Sequence, residues 1–338
     1  MNPLKNFEVD RNAIRNVGHD LHRPECILAE RDGSLWVADS RGGIMHVAAS
    51  GEQRLILPVD SARTSAARPQ EAGADLLYGS LPNGLTFDAE GNLLVANIGT
   101  DRVELLTRAG ALSILLDEVD GKPMGKVNFV LRDRKGRLWI TVSTKRNPWA
   151  AAICSSWADG YIVLVDEKGP RIVADGLAFT NEARMDEQEE FLYVAETTAK
   201  RVSRFRVLDD GTLGQRETYG PSQLGAGLLD GMTFDAYGNL WCAMILADRL
   251  VAIDPEGELL TLLDDGDPVA TAQFEAAFAT GQVVPVEVMD ACGGTLAPML
   301  TSITFGGPDL RTVYLGSLKG TSIASFSSPV GGLPLIHW

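Results

Sequence analysis

The chain has 338 residues with 35 Gly and 16 Pro, and its apolar runs are short and broken by turn residues, a composition for many short strands rather than long helices. A formal net charge of −15 would repel a phosphate backbone, which excludes a nucleic-acid surface, and no segment nears the roughly 18 uncharged apolar residues of a membrane span. The opening MNPLKNFEVDRN lacks the apolar core of a signal peptide, and Cys26, Cys154, Cys242 and Cys292 are far apart with no CxxC pair; a cytoplasmic protein with structural thiols is expected, monomeric or dimeric.

In chain order, one cassette recurs six times: a strand, a turn holding Asp or Gly, a strongly apolar second strand, then a third strand and another turn. The first, PECILAERDGSLWVADS, sets Glu25 ten residues ahead of Leu35. The second, PNGLTFDAEGNLLVAN, sets Asn83 ten ahead of Leu93, and the third, VNFVLRDRKGRLWITV, sets Asn128 ten ahead of Leu138. The fourth, TNEARMDEQEEFLYVAE, has one extra turn residue, so Asn181 lies eleven ahead of Leu192; the fifth, LDGMTFDAYGNLWCAM, restores ten from Asp230 to Leu240. The sixth, LTSITFGGPDLRTVYLGS, is looser, with Ser302 eleven ahead of Val313.

Successive second-strand anchors lie 58, 45, 54, 48 and 73 residues apart, which suits four-stranded blades with variable loops. The expectation is an all-β, six-bladed β-propeller forming a single domain over residues 1–338. An open ring would expose strand edges. A strand near Ala13 to Val17 is therefore expected to complete the last blade.

Three stretches exceed the repeat: residues 58 to 80, 144 to 160 and 264 to 299. The last contains DPVATAQFEAAFATG, in which Val269, Ala272, Phe274, Ala277 and Phe278 fit a short amphipathic helix. A lid or pocket wall is the preferred role for such insertions. Trp149 and Trp157, in the second insertion, could form an apolar part of it.

In a propeller the innermost strands line the central channel, so Glu25, Asn83, Asn128, Asn181 and Asp230 would ring one end of it with oxygen donors. Two acids that would repel each other, plus neutral amides, suit a hard divalent cation, Ca²⁺ first, with Mn²⁺ or Mg²⁺ as alternatives. Zn²⁺ is possible but less suited, because the slot holds no His or Cys. Asn83 is the first member to set aside as a ligand.

Such an ion points to ester or lactone hydrolysis of a small molecule. Asp230 is then the candidate general base or nucleophile, being followed by a flexible Gly231, with Glu25 as the charge anchor. Lys126 is a candidate for holding an oxyanion or a substrate carboxylate. Glu182 and Arg184 are expected to pair or to face substrate. His19 and His22 could approach the mouth, and His46 and His337 carry no signal. No GxSxG, Walker A, GxGxxG or HExxH motif occurs, which argues against serine hydrolase, NTPase, dinucleotide and zincin chemistry.

The pieces PEC around Glu25, TNEARMD with FLYVAETTAKRVSRFRV, LLDGMTFDAYGNLWCAM and TSITFGGPDLRTVYLGS resemble the SMP-30/gluconolactonase/LRE group of six-bladed propellers over essentially the whole chain. The resemblance implies lactonase or phosphotriesterase chemistry with a calcium or other divalent ion at the channel mouth. It also implies metal ligands at Glu25, Asn128, Asn181 and Asp230. Two neighbours depart from the usual pattern: Phe129 follows Asn128 where Asp is common, and Glu182 follows Asn181 where Gly is common.

The substrate side is therefore expected to involve Asn83, Phe129, Glu182, Arg184 and His22, and to be less polar than for a sugar lactone. Two alternatives stand beside the hydrolase. One is a structural cation in a ligand- or partner-binding propeller. The other is strictosidine-synthase-like condensation, since VAETTAKRVSRFRV also resembles that neighbouring group.

Overall fold

The computed structural model describes residues 1–59 and 77–338; of the insertion expected over 58 to 80, residues 60–76 lie outside the described residues. Six four-stranded antiparallel sheets follow one another around a ring, five of them drawn entirely from one cassette each. Their innermost strands are Ile27–Ala29, Pro82–Phe87, Val127–Arg132, Thr180–Met185, Leu228–Phe234 and Leu300–Gly306, each touching the next around the channel and the last touching the first.

Each sheet packs between two others, so the second strands are buried on both faces and read as unbroken apolar runs rather than alternating ones. Six apolar clusters fill the gaps between neighbouring blades; Trp241, Leu250, Ile303 and Val313 belong to the one between blades five and six. The Asp of the turn recurs for a local reason. In blade five Asp235 accepts the backbone N–H groups of Tyr237 and Asn239 and the indole N–H of Trp241 at 2.9 Å, tying the turn to the strand that leaves it.

The ring closes as expected. Arg15–Val17 pairs antiparallel with Ile323–Ser327 and becomes the outer strand of blade six. It starts two residues later than expected because Arg11–Ala13 forms a 3₁₀ turn capped by Asp10. Ahead of it, Leu4 and Val9 are buried in the cluster between blades five and six, and Asn2 donates to Asn239 at 2.6 Å.

Two features set the bore of the channel. In five blades the ladder slips at the repeated slot itself, between Pro82 and Leu85, Val127 and Phe129, Thr180 and Ala183, Leu229 and Met232, and Leu300 and Ile303. A bulge re-aims side chains out of strict alternation, which is what the slot requires. Neighbouring inner strands also abut at glycine: a Cβ on Gly231 would lie 2.4 Å from the carbonyl oxygen of Thr301. Gly231 is thus demanded by close approach of two strands, a stronger reason than the flexibility expected from sequence.

The two ends of the channel are covered differently. At the end where the inner strands finish, Gly332 bridges to Asp235, Leu333 donates its N–H to Phe234, and the His337 ring lies 2.9 Å from the Ala29 carbonyl and edge-on to Phe87. This C-terminal segment crosses the channel and covers that end; His337, unremarkable in sequence, is part of the plug. At the other end, the insertion over 264 to 299 contains the expected helix, Pro268–Phe278, capped by Asp267. It buries Ala270, Phe274 and Phe278, leaving Val269 and Ala272 in solvent. With the short helix Val286–Asp290 and the 144 to 160 insertion it builds a seventh apolar cluster above the mouth.

Deleting residues 1–18 removes the outer strand of blade six and the burial of Leu4 and Val9, together about 4 to 6 kcal/mol. The melting temperature should fall by roughly 6 to 8 °C; an unchanged thermal melt would overturn this account of closure.

Candidate active site at the channel mouth

A pocket with about 530 Å³ of empty space opens at the mouth, and its floor contains Glu25, Asn83, Asn128, Asn181 and Asp230. The repeat register thus brings together five side chains from five blades. Each stands at a bulge or, for Glu25, two residues before its strand. Ser302, the sixth member, takes a supporting place: its hydroxyl and that of Thr301 donate to the Glu25 carbonyl, at 2.5 and 2.9 Å.

The hydrogen bonding separates the five. Asn83 is fully engaged, its Oδ1 accepting from Arg23 Nη2 at 2.7 Å and its Nδ2 donating to the Asn128 carbonyl at 3.3 Å. Asn181 donates to Thr197 Oγ1 at 3.2 Å. That leaves Glu25 Oε2, Asn128 Oδ1 and Asn181 Oδ1 buried with no hydrogen-bond partner. Buried acceptors are rarely left so, because each forfeits its hydration. Three on one pocket floor beside Asp230 form an oxygen-rich donor set of the kind a hard cation takes. Among the described residues there is no cluster of three or more His, Cys, Asp or Glu placed to hold a metal; amide oxygens are half of this set.

Charge in the floor is crowded. Burial pushes the Asp230 carboxyl up to about 8, with Glu182 adding to the rise, while a hydrogen bond from Asn181 and the charge of Arg23 oppose it. Glu25 is also raised well above its ordinary value, by burial first, with Arg23 opposing and Asp230 and Glu182 reinforcing. Glu182 is raised by burial against the pull of Arg184. Without a cation, protons must neutralise these acids.

Other expected residues lie elsewhere. Lys126 is buried with its ammonium 2.9 Å from Asp101 and is not on the pocket wall, so the oxyanion role drawn from sequence does not fit it. His22 is exposed, engaged through its backbone N–H with Asp39 at 3.3 Å, and His19 is a surface residue beside Asp20. Phe129 and Arg184 face the tail-covered end of the channel, the Arg184 guanidinium 4.4 Å from the centre of the Phe129 ring. Arg184 also pairs with Glu182 at 2.8 Å, and Glu182 accepts the Met232 N–H at 3.2 Å. This buried layer supports the floor from beneath rather than lining the pocket. Trp149 lines the pocket, whereas Trp157 is exposed with Arg146 stacked on it at 3.6 Å.

Arg23 is the floor residue that sequence reasoning missed. It is buried, its φ is +56°, and it donates to the Pro82 carbonyl at 2.9 Å as well as to Asn83. Of the other cassettes only the third has a basic residue at the equivalent position, Lys126 two before Asn128, and that shared place was the available clue.

Comparison with known proteins agrees with this architecture. The chain belongs to the SMP-30/Gluconolactonase/LRE-like family, matching it over residues 24–272. Pentonolactonase XacC of Haloferax volcanii is 26% identical over 197 residues, covering 58% of this chain and 54% of the relative. The chain thus spans about half the length of the curated relatives it matches. Among solved structures, the gluconolactonase XC5397 of Xanthomonas campestris superimposes with a TM-score of 0.64 at 17% identity, covering 93% of this chain and 88% of that one. The calcium-binding protein regucalcin of Agrobacterium tumefaciens gives 0.63 at 17% identity, covering 95% of each. At such identities these structures speak for the propeller alone. Among the described residues no helix is long and apolar enough to cross a membrane, and the four cysteines are buried free thiols.

The raised Asp230 carboxyl has a sign. Between its ordinary 3.8 and about 8, the folded chain keeps a proton that the unfolded chain releases, so the stabilising contribution present at acid pH is lost as pH rises through that window. In chelator, the melting temperature should fall between pH 5 and pH 8 more steeply for the wild type than for Asp230→Asn. Equal slopes for the two proteins would rule this out.

Proposed function

We propose that the whole chain acts as one propeller domain and is a divalent-metal-dependent hydrolase that opens a lactone or related cyclic ester. The observation that carries this reading is the convergence of Glu25 Oε2, Asn128 Oδ1 and Asn181 Oδ1, buried and without partners, with Asp230 on one pocket floor. These four residues would hold the ion. Two carboxylates and two amides favour Ca²⁺, with Mn²⁺ and Mg²⁺ next and Zn²⁺ least suited. When bound, such an ion polarises an ester carbonyl and makes a nearby water more acidic.

The chain's own groups supply the rest. Asp230 must be ionised to act as a base, and positive charge in the floor is what lowers its raised pKa. As carboxylate it takes a proton from water while the hydroxyl adds to the acyl carbon. It returns that proton to the ring oxygen as the acyl C–O bond breaks, so water and lactone give one hydroxy acid with no other reactant. Direct attack by the Asp230 carboxylate is the alternative route to the same product. Arg23, fixed by Asn83 and the Pro82 carbonyl, takes the anion-holding role that Lys126 cannot reach. The names of the lactonase relatives support the reaction class, and the oxygen-only donor set supports a calcium-type ion.

Chelation should abolish turnover of a lactone panel and Ca²⁺ or Mn²⁺ should restore it. Asp230→Asn should lower kcat by about 10²- to 10⁴-fold while retaining a cooperative melt. Full activity after chelation would reject the proposal. Chelation that lowers the melting temperature of a protein with no turnover would instead mark the ion as structural.

A further inference from the structure

Above the polar floor the pocket changes character. Among the described residues, every charged or amide side chain that lines it belongs to the floor; above the floor the polar groups are the Thr197 hydroxyl, which accepts from Asn181, and the indole N–H of Trp149. The rest of the wall is aliphatic side chains at the blade tops together with Trp149, Ile153, Phe179, Met289 and Met299. Trp149 and Ile153 come from the 144 to 160 insertion, and Met289 and Met299 from the 264 to 299 segment, so sequence beyond the repeat builds much of this surface.

The wall is preformed: Ile153, Phe179, Met289 and Met299 are each at most 5% exposed. It belongs to the apolar cluster above the mouth, and Trp149 meets Phe179 edge-on at 6.1 Å.

A polyhydroxylated ring bound on this floor would press most of its hydroxyls against side chains that return no hydrogen bonds. Each such hydroxyl would lose hydration without compensation. An apolar substituent on the same ring would gain from leaving water, by about 0.8 kcal/mol per methylene, or about fourfold in affinity. From this, and resting on the hydrolytic reading above, we infer that the substrate is a lactone bearing an alkyl or aryl substituent, held by its ester group on the floor and by its apolar part on the insertion-built wall. Sugar lactones are the poor substrates.

The test uses the full chain with Ca²⁺ and four lactones: γ-butyrolactone, γ-hexalactone, γ-decanolactone and D-glucono-1,5-lactone. The expected result is kcat/KM rising about fourfold per methylene until the chain leaves the wall, with γ-decanolactone at least tenfold above gluconolactone. In Met289→Gln the ratio of decanolactone to butyrolactone turnover should fall several-fold. A ratio taken on one preparation is insensitive to loss of folded protein.

Gluconolactone turned over as well as γ-decanolactone, or no dependence on chain length, overturns the substrate class while leaving hydrolysis intact. If no lactone is turned over, the hydrolytic reading fails, and Trp149 fluorescence with Trp149→Phe as control decides the wall separately. Tighter binding of γ-decanolactone than of γ-butyrolactone supports an apolar occupant; equal binding removes it.

Discussion

Three buried carboxylates, from Glu25, Glu182 and Asp230, meet at the middle of the ring, and much of the site follows from neutralising them. Glu182 is neutralised within the protein by Arg184 at 2.8 Å, with Phe129 stacked against the same guanidinium. Glu25 and Asp230 share Arg23, with a weaker pull from Arg184 on Glu25, and the Arg23 guanidinium is also committed to Asn83 and the Pro82 carbonyl. Burial outweighs these charges at both acids, a deficit that protons fill at low pH and that a cation would also fill. Burial and like charge therefore make the floor receptive to a cation.

The ring was legible because a propeller repeats its solution. The turn Asp, the apolar second strand and the polar slot recur since each blade meets the same neighbours, and the spacing of Glu25, Asn128, Asn181 and Asp230 survives loops of very different length. The closing strand was legible from topology, because an unpaired edge has only one cheap remedy in a ring. Residues that occur once were hard to read. Arg23 shares its position, two residues before the slot, with Lys126 alone among the cassettes, and only the fold separates them: Lys126 pairs with Asp101 across a loop, whereas Arg23 turns into the floor. Phe129 was correctly read as odd but assigned to the wrong end of the channel. The bulge at the slot decides which neighbour of a ligand faces up and which faces down, and no periodicity reports that.

The insertions carry the opposite kind of information. Their helix could be found from its apolar spacing, yet its buried face, Ala270, Phe274 and Phe278, was only partly the expected one. Val269, in its first turn, meets solvent while Asp267 caps the helix. Folded over the mouth, these segments form a further apolar cluster with blade residues such as Leu228 and Ile245. Met289 and Ile153 belong to that cluster and to none of the six between the blades.

The C-terminal plug gives the channel a direction. With one end covered by the segment through His337, the floor faces the mouth beneath the insertions. On the hydrolytic reading proposed above, a bound reactant whose apolar part fills that mouth would shield the water beneath it. Departure of the product would then readmit solvent, so release at the rim would help set the tempo of successive cycles.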